Sequence, residues 1–372
     1  MVVVKKVSTK KQQKEFLDFP LKLYKDNPYF VPPLYMDEKK IFNKNYVYNN
    51  ICETVYYNAY KDNKIVGRIS AILQKSSNEK WNQKRIRFTR FDSIDDQEVA
   101  NALFKAVEDF AKEKQMDEVV GPLGFSDLER EGLLIEGFDY ISTFEEQYNY
   151  PYYQKLIENC GYEKEVDWIE HRLYYPKVES DRLAKYTDLI FKRFNLHYGE
   201  AKNTKEFIKK YAEQFFEIID ITYENLYGTV PFTKEMKKMM IENFKLIVNV
   251  KNVAVILDEN ERVVSFGICF PSLSKAIQKS QGHLILPTLF RLLHDIKHPK
   301  TIDLGLIGVL PEYAMKGVSS ALISRILIML KSENLEYAET NLTLETNQHI
   351  LNQWKNFDKL QHKRRRCFIK KI

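Results

Sequence analysis

The segment from Leu306 to Leu322 combines an apolar strand, a proline break and a turn that leads into an apolar helix. The strand is predicted to end at Val309, and Pro311 prevents it from continuing. The first N–H groups of the following helix have no partners within the helix, and the helix dipole makes that end positive. A strand, turn and helix in this order are typical of a binding site for an anion such as pyrophosphate.

The turn itself contains residues that suit a phosphate group. Gly317 has no side chain, so a phosphate can approach the backbone closely at this position. Ser319 is small enough to keep that approach open, and Lys316 adds a positive charge. We therefore expect the loop to bind a phosphorylated ligand through backbone N–H groups and one cation.

The same segment resembles the coenzyme-A loop of the GNAT N-acetyltransferase superfamily, whose pattern is Val-x-Pro-x-x-(Gln/Arg)-x-x-Gly-x-(Gly/Ala). Val309, Pro311 and Gly317 match this pattern, whereas Ala314 replaces the usual Gln or Arg and Ser319 replaces Gly or Ala. The resemblance implies that acetyl-CoA or another acyl-CoA binds as a substrate and that no metal is needed. The contacts it implies are Val309, Leu310, Ala314, Met315, Lys316, Gly317, Val318, Ser319 and Asn347.

A second stretch, near the C-terminus, resembles another conserved segment of that superfamily, Asn-x-x-Ala-Ile-x-Leu-Tyr-x-Lys-x-Gly-Phe. The positions that carry this resemblance are Asn347, Ile350, Leu351, Trp354 and Phe357. Asn347 would contact coenzyme A. Trp354 occupies the place of a Tyr that often protonates the leaving thiolate, and an indole N–H is not an acid of that kind.

The resemblance implies direct attack of an amine on the thioester of the acyl-CoA. A backbone N–H near Val309 would polarise the thioester carbonyl, and the protein would hold both reactants in place. A carboxylate acting through water is the expected type of general base. The candidates are Asp303, Glu312, Glu339 and Glu345, with Tyr313 close to the loop, and the sequence assigns the catalytic role to none of them.

The elements that position the loop occur twice along the chain. The hairpin turn at Asp62–Gly67 resembles the turn at Asn260–Ser265, and each is followed by a strand, a long helix and another strand. The sequence therefore predicts an α/β fold of two tandem GNAT-like domains, each a mixed, mostly antiparallel sheet flanked by helices. We place the boundary at Pro176, which gives domains 1–176 and 177–372.

The first half has lost the anion-binding features of the second. Its counterpart of the loop, Ile94–Glu98, contains no glycine and three carboxylates, which would repel a pyrophosphate. These acids suit the N-terminal turn of the helix predicted at 97–114 instead. We therefore expect a degenerate cofactor loop in residues 1–176 and acyl-CoA binding only in the second half.

Other segments of the chain allow two readings. The loop Gly124–Gly132 either lines the acceptor cleft or is a surface connection, and the tyrosines between Tyr148 and Tyr153 are expected to pack in the core. Pro20 should kink or divide the helix predicted from Lys11 to Tyr24. Further helices are predicted at 181–194 and 347–357, and strands at 337–344 and 365–369.

Composition limits the classes of function. The net charge is only +6 over 372 residues, and the one dense basic cluster, Lys363–Arg366, is interpreted as a solvated strand rather than a phosphate or nucleic-acid contact. The four cysteines are far apart and have no metal-ligand spacing, so they are expected to be free thiols. No signal peptide or membrane span is recognised, so the expected location is cytoplasmic, with no membrane partner.

The function predicted from these features is transfer of an acetyl or longer acyl group from acyl-CoA to an amine. The acceptor would be a small molecule or a peptide held between the halves. One alternative is a tRNA-dependent aminoacyl transferase that uses the basic C-terminal cluster. Another is a non-catalytic binding protein on a decayed GNAT scaffold, which Ala314 and Trp354 favour.

Overall fold

The structure, a computed structural model, describes residues 1–177 and 182–372. In the first half the strands are β1 (Val3–Lys6), β2 (Cys52–Lys61), β3 (Lys64–Gln74), β4 (Arg85–Ser93), β5 (Glu118–Gly121), β6 (Leu133–Glu136) and β7 (Glu163–Tyr174). The helices of this half are α1 (Lys10–Leu23), α2 (Tyr35–Lys40), α3 (Lys75–Trp81), α4 (Gln97–Glu113) and α5 (Tyr152–Asn159).

The second half begins with α6 (Arg182–Phe194), so Asp181, the predicted first residue of this helix, lies outside the described residues. Its strands are β8 (His197–Tyr198), β9 (Val253–Leu257), β10 (Val263–Pro271), β11 (Thr301–Val309), β12 (Tyr337–Glu339), β13 (Thr343–Leu344) and β14 (Asp358–Lys371). Its other helices are α7 (Thr204–Thr222), α8 (Lys234–Ile247), α9 (Ser274–Lys279), α10 (Leu286–Lys297), α11 (Pro311–Ala314), α12 (Ser319–Ser332) and α13 (Gln348–Gln353).

These strands form a single sheet in the order β1-β2-β3-β4-β5-β14-β7-β12-β11-β10-β9-β8, while β6 pairs with β14 and β13 with β7. Most neighbours are antiparallel, and the pairs β4–β5 and β11–β12 are parallel. Each half thus repeats a hairpin, a third strand, a crossover helix and a parallel fourth strand. The predicted fold class, two tandem units with mixed and mostly antiparallel sheets, is confirmed.

The two halves are joined by their last strands. The C-terminal strand β14 lies between β5 and β7, and β7 in turn pairs with β12 of the second half. The strand extends over fourteen residues, whereas the sequence predicted only 365–369. Two adjacent long strands therefore hold the halves in one sheet, and the division at Pro176 stays a prediction.

Helix α1 shows how the fold accommodates a proline. The sequence predicted a kink or a new helix at Pro20. No new helix begins there, because α1 continues through this residue, and the kink stays a prediction. Proline has no N–H, so the carbonyl of Phe16 lacks its usual partner one turn later. The Arg68 guanidinium donates a hydrogen bond of 2.9 Å to that carbonyl, which satisfies it and lets the helix continue.

Two further predictions are modified by the structure, and two helices were not predicted. The strand predicted at 337–344 is divided into β12 and β13: β12 pairs with both β11 and β7, whereas β13 pairs only with β7 among the described strands. The helix predicted at 347–357 ends at Gln353 and is followed by a short 3-10 turn. Between β10 and β11 the structure contains two helices, α9 and α10, that the sequence analysis did not identify.

Candidate functional site

A cleft opens where β11 and β12 separate. The two strands pair in parallel only from Thr301 with Tyr337 to Asp303 with Glu339. Beyond this point β11 continues to Val309, whereas the segment that follows β12 turns away at Thr340. The edge of β11 from residue 304 onwards is therefore left without a neighbouring strand, and it faces the space between the halves.

A cavity of about 890 Å³ occupies this cleft. The second half contributes β9 to β11, α7 and the turn after it, α8, α12 and residues between 340 and 354. The lining residues of the first half are Asp37, Lys40, Tyr46, Tyr48, Asp127, Leu128, Glu129, Glu131, Glu145, Glu146 and Trp168. The volume lies at the upper end of the range for small-molecule sites. Its apolar lining includes Ile221, Met236, Met239, Met240, Phe244, Ile247, Val253, Ile268, Phe270, Leu304, Leu306, Ile307, Leu322, Ile326, Met329 and Ile350.

The free edge of β11 offers a backbone donor to this cavity. The Tyr223 hydroxyl donates a hydrogen bond to the Ile307 carbonyl at 3.0 Å and accepts one from the Ile307 N–H at 3.3 Å, so both groups of Ile307 point to the free edge. Leu310 donates to Val264 on the opposite edge. Because backbone groups alternate between edges along a strand, the N–H of Val309 points to the same side as that of Ile307.

The predicted anion loop lies between β11 and α12. Gly317 has a φ of +78°, and a Cβ at this position would lie 2.7 Å from the Tyr186 hydroxyl and 2.9 Å from Ile190 of α6. Its packing against α6 therefore requires glycine. The N–H groups of Gly317, Val318 and Ser319 have no backbone acceptor within residues 1–177 and 182–372. Binding of a phosphate by these groups stays a prediction.

The nine residues predicted to contact the cofactor occupy different environments. Val309, Ala314 and Asn347 line the cavity. The side chains of Leu310 and Val318 are buried in the core instead. The other four are in the loop and at the start of α12, where Met315 is 92% exposed, Lys316 is exposed and Gly317 and Ser319 are half-buried. Their contacts with a cofactor stay predictions.

Lys316 and Trp354 present polar groups near this region. The Lys316 ammonium lies 4.4 Å from the ring centre of Tyr313 and 5.1 Å from that of Phe194, so it remains near the loop. Trp354 is buried and lines the cavity, and its Nε1–H has no hydrogen-bond partner among the described residues. An unpaired indole N–H at this wall can donate a hydrogen bond to a bound group.

One carboxylate in the cavity is suited to proton transfer. Glu145 is half-buried, lines the cavity, and makes no hydrogen bond or ion pair within the part of the chain that the structure describes. Burial raises the pKa of Glu145 to about 7, and Arg130 only partly opposes this. A carboxyl group with this pKa is well matched to general base catalysis near neutral pH. Nothing in its sequence context distinguished Glu145 from other acids.

Glu145 lies close to the point where β11 and β12 separate. Its charge contributes to a pKa of Asp303 that is well above the usual range, mainly because Asp303 is buried. Asp303 is the last residue of β11 that pairs with β12. The candidate base is thus close to Asp303, where the free edge of β11 begins, and Val309 lies six residues further along the strand.

The loop at 124–132 adds further acids to the cavity wall. Asp127, Glu129 and Glu131 all line the cavity, and burial raises the pKa of each. The Tyr46 hydroxyl donates to Glu129 at 3.1 Å, and Arg90 lies 3.9 Å from the same carboxylate. Of the two readings of this loop, the structure favours the wall of a cleft over a surface connection.

A cluster of buried charges lies behind the cavity, on β14 and its neighbours. The Lys363 ammonium is 2.5 Å from Glu339 and 3.3 Å from Glu170, and the Arg365 guanidinium is 2.7 Å from Glu170. All four side chains are buried. The interpretation of Lys363–Arg366 as a solvated strand is therefore wrong for two of its residues, because alternate side chains of β14 point into the protein.

The ion pairs of this cluster control its protonation. Burial favours the neutral form of Glu170, but Arg365 and Lys363 outweigh it and hold the pKa at about 2. The pKa of Glu339 is likewise lowered against the effect of burial, by Lys363 and His362. Glu170, Glu339 and His362 could together surround a metal ion, but the Lys363 ammonium already lies between the two carboxylates.

Three of the four bases predicted from the sequence are tied to partners, and none of the four is among the residues that line the cavity. Glu312 pairs with Arg262 at 3.2 Å, and Glu345 pairs with Arg364 at 2.6 Å. Asp303 is buried, and its Oδ2 has no hydrogen-bond partner among the described residues. Glu339 is paired with Lys363, and Glu145, unlike these four residues, lines the cavity.

The first half has no equivalent of the anion loop. Asp96 caps α4 by accepting a hydrogen bond of 2.9 Å from the N–H of Glu98, and it pairs with Lys61. The acids of this segment therefore serve as helix N-terminal residues, as expected. The aromatic run also packs as predicted, since Tyr148 and Tyr153 are buried in the hydrophobic core of this half.

Solved structures and curated proteins resemble this chain over most of its length, although no known protein-family model matches it. A tandem GNAT protein from the clavulanic acid biosynthesis pathway superposes with a TM-score of 0.57, at 9% identity, over 100% of this chain and 98% of its own. The chain therefore has the tandem GNAT fold.

Two curated proteins are similar in sequence. Protein YghO of Escherichia coli is 26% identical over 100% of this chain and 95% of its own length. A bacterial ceramide synthase of Caulobacter vibrioides is 24% identical over 82% of this chain and 80% of its own length.

Two further findings concern the cysteines and the lengths of the helices. Cys52, Cys160, Cys269 and Cys367 are all free thiols, as predicted. Across the described ranges, each helix is too short or too polar to cross a bilayer.

Proposed function

We propose that this protein transfers a long acyl chain from acyl-CoA to the amino group of an amphipathic acceptor. The observation that carries the proposal is the 890 Å³ cavity, whose walls are largely apolar and which joins the free edge of β11 to Glu145. The GNAT fold supports acyl transfer to nitrogen. The similarity to a ceramide synthase supports long-chain substrates, because a ceramide is the amide of a fatty acid and a long-chain amino alcohol.

The proposed reaction joins the two reactants in the cleft. The amine nitrogen attacks the thioester carbon, a C–N bond forms, and the C–S bond breaks. Glu145 takes a proton from the nitrogen, while a backbone N–H on the free edge of β11 stabilises the negative charge on the carbonyl oxygen. The sulfur leaves as a thiolate, which accepts a hydrogen bond from the Trp354 indole. The thiolate then takes up the proton that Glu145 removed from the amine.

We assign each part of coenzyme A to a different surface of the protein. The pyrophosphate lies at the N-terminus of α12, where the N–H groups of Gly317, Val318 and Ser319 are unpaired. Lys316 adds a positive charge beside them. The pantetheine arm follows the free edge of β11, and the acyl chain occupies the apolar space lined by α8 and α12.

A chain-length comparison tests the proposal. The protein is incubated with palmitoyl-CoA or acetyl-CoA and a long-chain amino alcohol such as sphinganine. Thiol release and the amide product are then measured. We expect kcat/KM for palmitoyl-CoA to exceed that for acetyl-CoA by at least about 100-fold, because each buried methylene contributes about 0.8 kcal/mol. Equal rates with both thioesters would refute the long-chain assignment, and no thiol release with either would favour the non-catalytic alternative.

The cofactor loop is tested by Ser319→Glu. A carboxylate in the first turn of α12 is compatible with the helix dipole, so the fold should be retained, but it repels a pyrophosphate. We expect calorimetry to show at least about a tenfold loss of affinity for acyl-CoA, equal to about 1.4 kcal/mol. Ser332→Glu at the other end of α12 is the control and should bind normally. Unchanged binding by Ser319→Glu would exclude this loop.

The tRNA-dependent alternative loses the feature that suggested it. Lys363 and Arg365 are 1% and 0% exposed, and their charges are paired with carboxylates. Arg364 and Arg366 reach the surface but both contact Asp167. The basic cluster is therefore part of the protein interior and its ion pairs rather than a surface for RNA.

A further inference from the structure

Helix α10 presents an apolar stripe to solvent. Leu286, Leu289, Phe290 and Leu293 are exposed to 72%, 41%, 72% and 55%, and their spacing places them on one side of the helix. Leu284 and Ile285, immediately before the helix, are also exposed. Isolated exposed apolar residues are common, but six within ten residues form a continuous surface, and such a surface indicates an interaction site.

The opposite side of α10 is firmly held. Thr288 is fully buried, and Leu292 and Ile296 pack on a small core with Leu273 and Ile277. The turn before the helix is fixed by a hydrogen bond of 2.9 Å from the Tyr35 N–H to the Gly282 carbonyl. The helix therefore has a packed inner face, and the exposed stripe is a separate outer face.

Helix α10 belongs to the segment between β10 and β11, residues 272–300, which has no counterpart of this length in the first half. We call this segment the excursion. Twenty-nine residues separate β10 from β11, whereas the equivalent strands β3 and β4 are separated by ten. The repeated fold is complete in the first half without such a segment. The structural core thus does not explain why the second half carries α9 and α10.

The excursion is strongly basic. Its charged residues are Lys275, Lys279, Arg291, Lys297 and Lys300 against a single acid, Asp295, so it carries +4 of the net charge of +6. None of the five cations forms an ion pair with a carboxylate in residues 1–177 or 182–372, and all five are exposed. A segment that combines an apolar stripe with exposed, unpaired cations is suited to bind a surface whose outer layer is anionic and whose interior is apolar.

The inner face of α10 packs on a core that also reaches the cavity. Ile247 of α8 lines the cavity and packs on the same small core as Leu292 and Ile296. Its neighbour Leu246 is 75% exposed. Helix α10 and the cavity wall are therefore supported by a shared core.

We propose that the outer face of α10 docks the protein on the surface of a bilayer that contains anionic phospholipids. The apolar stripe enters the boundary between headgroups and acyl chains, and Lys297, which has the same helical phase as the stripe, contacts lipid phosphates, while the remaining positive charge of the segment attracts the protein to the anionic surface. The helix lies in the plane of the interface and does not span it. The sequence expectation of no membrane partner rested on the lack of a spanning segment, which does not address an interfacial helix. This proposal does not depend on the reaction, because docking needs neither substrate.

Vesicle flotation tests the proposal with the full chain. Wild-type protein is mixed with phosphatidylglycerol-containing vesicles or with pure phosphatidylcholine vesicles, and the bound fraction is measured at increasing lipid. We expect binding to the anionic vesicles that weakens with salt. The combined variant Leu286→Ser, Phe290→Ser and Leu293→Ser should bind at least about tenfold more weakly. Leu189→Ser with Ile328→Ser, which removes two exposed residues elsewhere, should bind like the wild type.

A second measurement does not depend on the triple variant, which could lose binding because it misfolds. In Phe290→Trp, an added fluorophore replaces a single exposed ring, and its emission should shift to the blue with anionic vesicles and be quenched by brominated lipid. No shift, or equal vesicle binding by wild type and triple variant, would overturn the proposal. So would a wild-type dimer that the triple variant abolishes and that shows no lipid binding, since a second copy would then cover the stripe.

Discussion

Replacing Glu145 by Gln should lower the rate of acyl transfer by about 10²–10⁴-fold at neutral pH, the usual contribution of a general base. The amide has nearly the same shape as the carboxylate but cannot take a proton from the attacking amine. Glu145 makes no hydrogen bond or ion pair among the described residues, so the substitution breaks no contact of the fold. Thiol release under saturating acyl-CoA is the measurement.

The control for this variant is Glu136→Gln, which removes an exposed carboxylate from β6. It should retain the wild-type rate. Acyl-CoA affinity of Glu145→Gln should also be unchanged, because the proposed role is proton transfer and not binding. A Glu145→Gln enzyme with the wild-type rate would show that another group, or solvent, takes the proton.

The pH profile gives an independent check of the same role. Burial raises the pKa of Glu145 to about 7, so the carboxyl group is largely protonated at pH 6 and ionised at pH 8. Only the ionised form can act as a base. The wild-type kcat should therefore increase through about pH 7, and this step should be missing from the residual activity of Glu145→Gln.

The parts of the fold that the sequence predicted well are those with local signals. The hairpin turns, the amphipathic pattern of α4 and the strand–proline–glycine pattern at Val309–Gly317 each depend on neighbouring residues. The order of these elements was enough to predict the tandem fold. The exact path of the chain after Glu339 was not predicted, because β13 pairs with a strand from the first half.

The candidate site was predicted only in part because its other residues come from distant segments. Glu145 is 158 residues before Asp303 in the chain, and only the arrangement of the two halves brings it to the cavity. The basic run on β14 gave a misleading pattern, since four consecutive charges suggest a solvated strand. Its buried partners, Glu146, Glu170 and Glu339, could not be identified from local sequence.

Replacing Lys363 by Met should lower the free energy of unfolding by about 3–5 kcal/mol, the usual cost of removing one partner from a buried ion pair. Methionine is similar in length and apolar, so the variant leaves little empty space. It leaves Glu339 and Glu170 without the cation that lies 2.5 Å and 3.3 Å from them. Chemical denaturation at pH 7 is the measurement, and the exposed Lys371→Met, with a change below about 0.5 kcal/mol, is the control.

The pH dependence of this loss separates charge from packing. In the wild type the pKa of Glu170 is about 2 and that of Glu339 is also lowered, so their contribution to stability is present above pH 4.5 and declines as the pH falls towards 2. Without Lys363 both carboxyl groups are protonated more readily. The difference between the variant and the wild type should therefore be largest at pH 7 and smaller at pH 4. A difference independent of pH would indicate that packing of the lysine stem, not its charge, stabilises the junction between the halves.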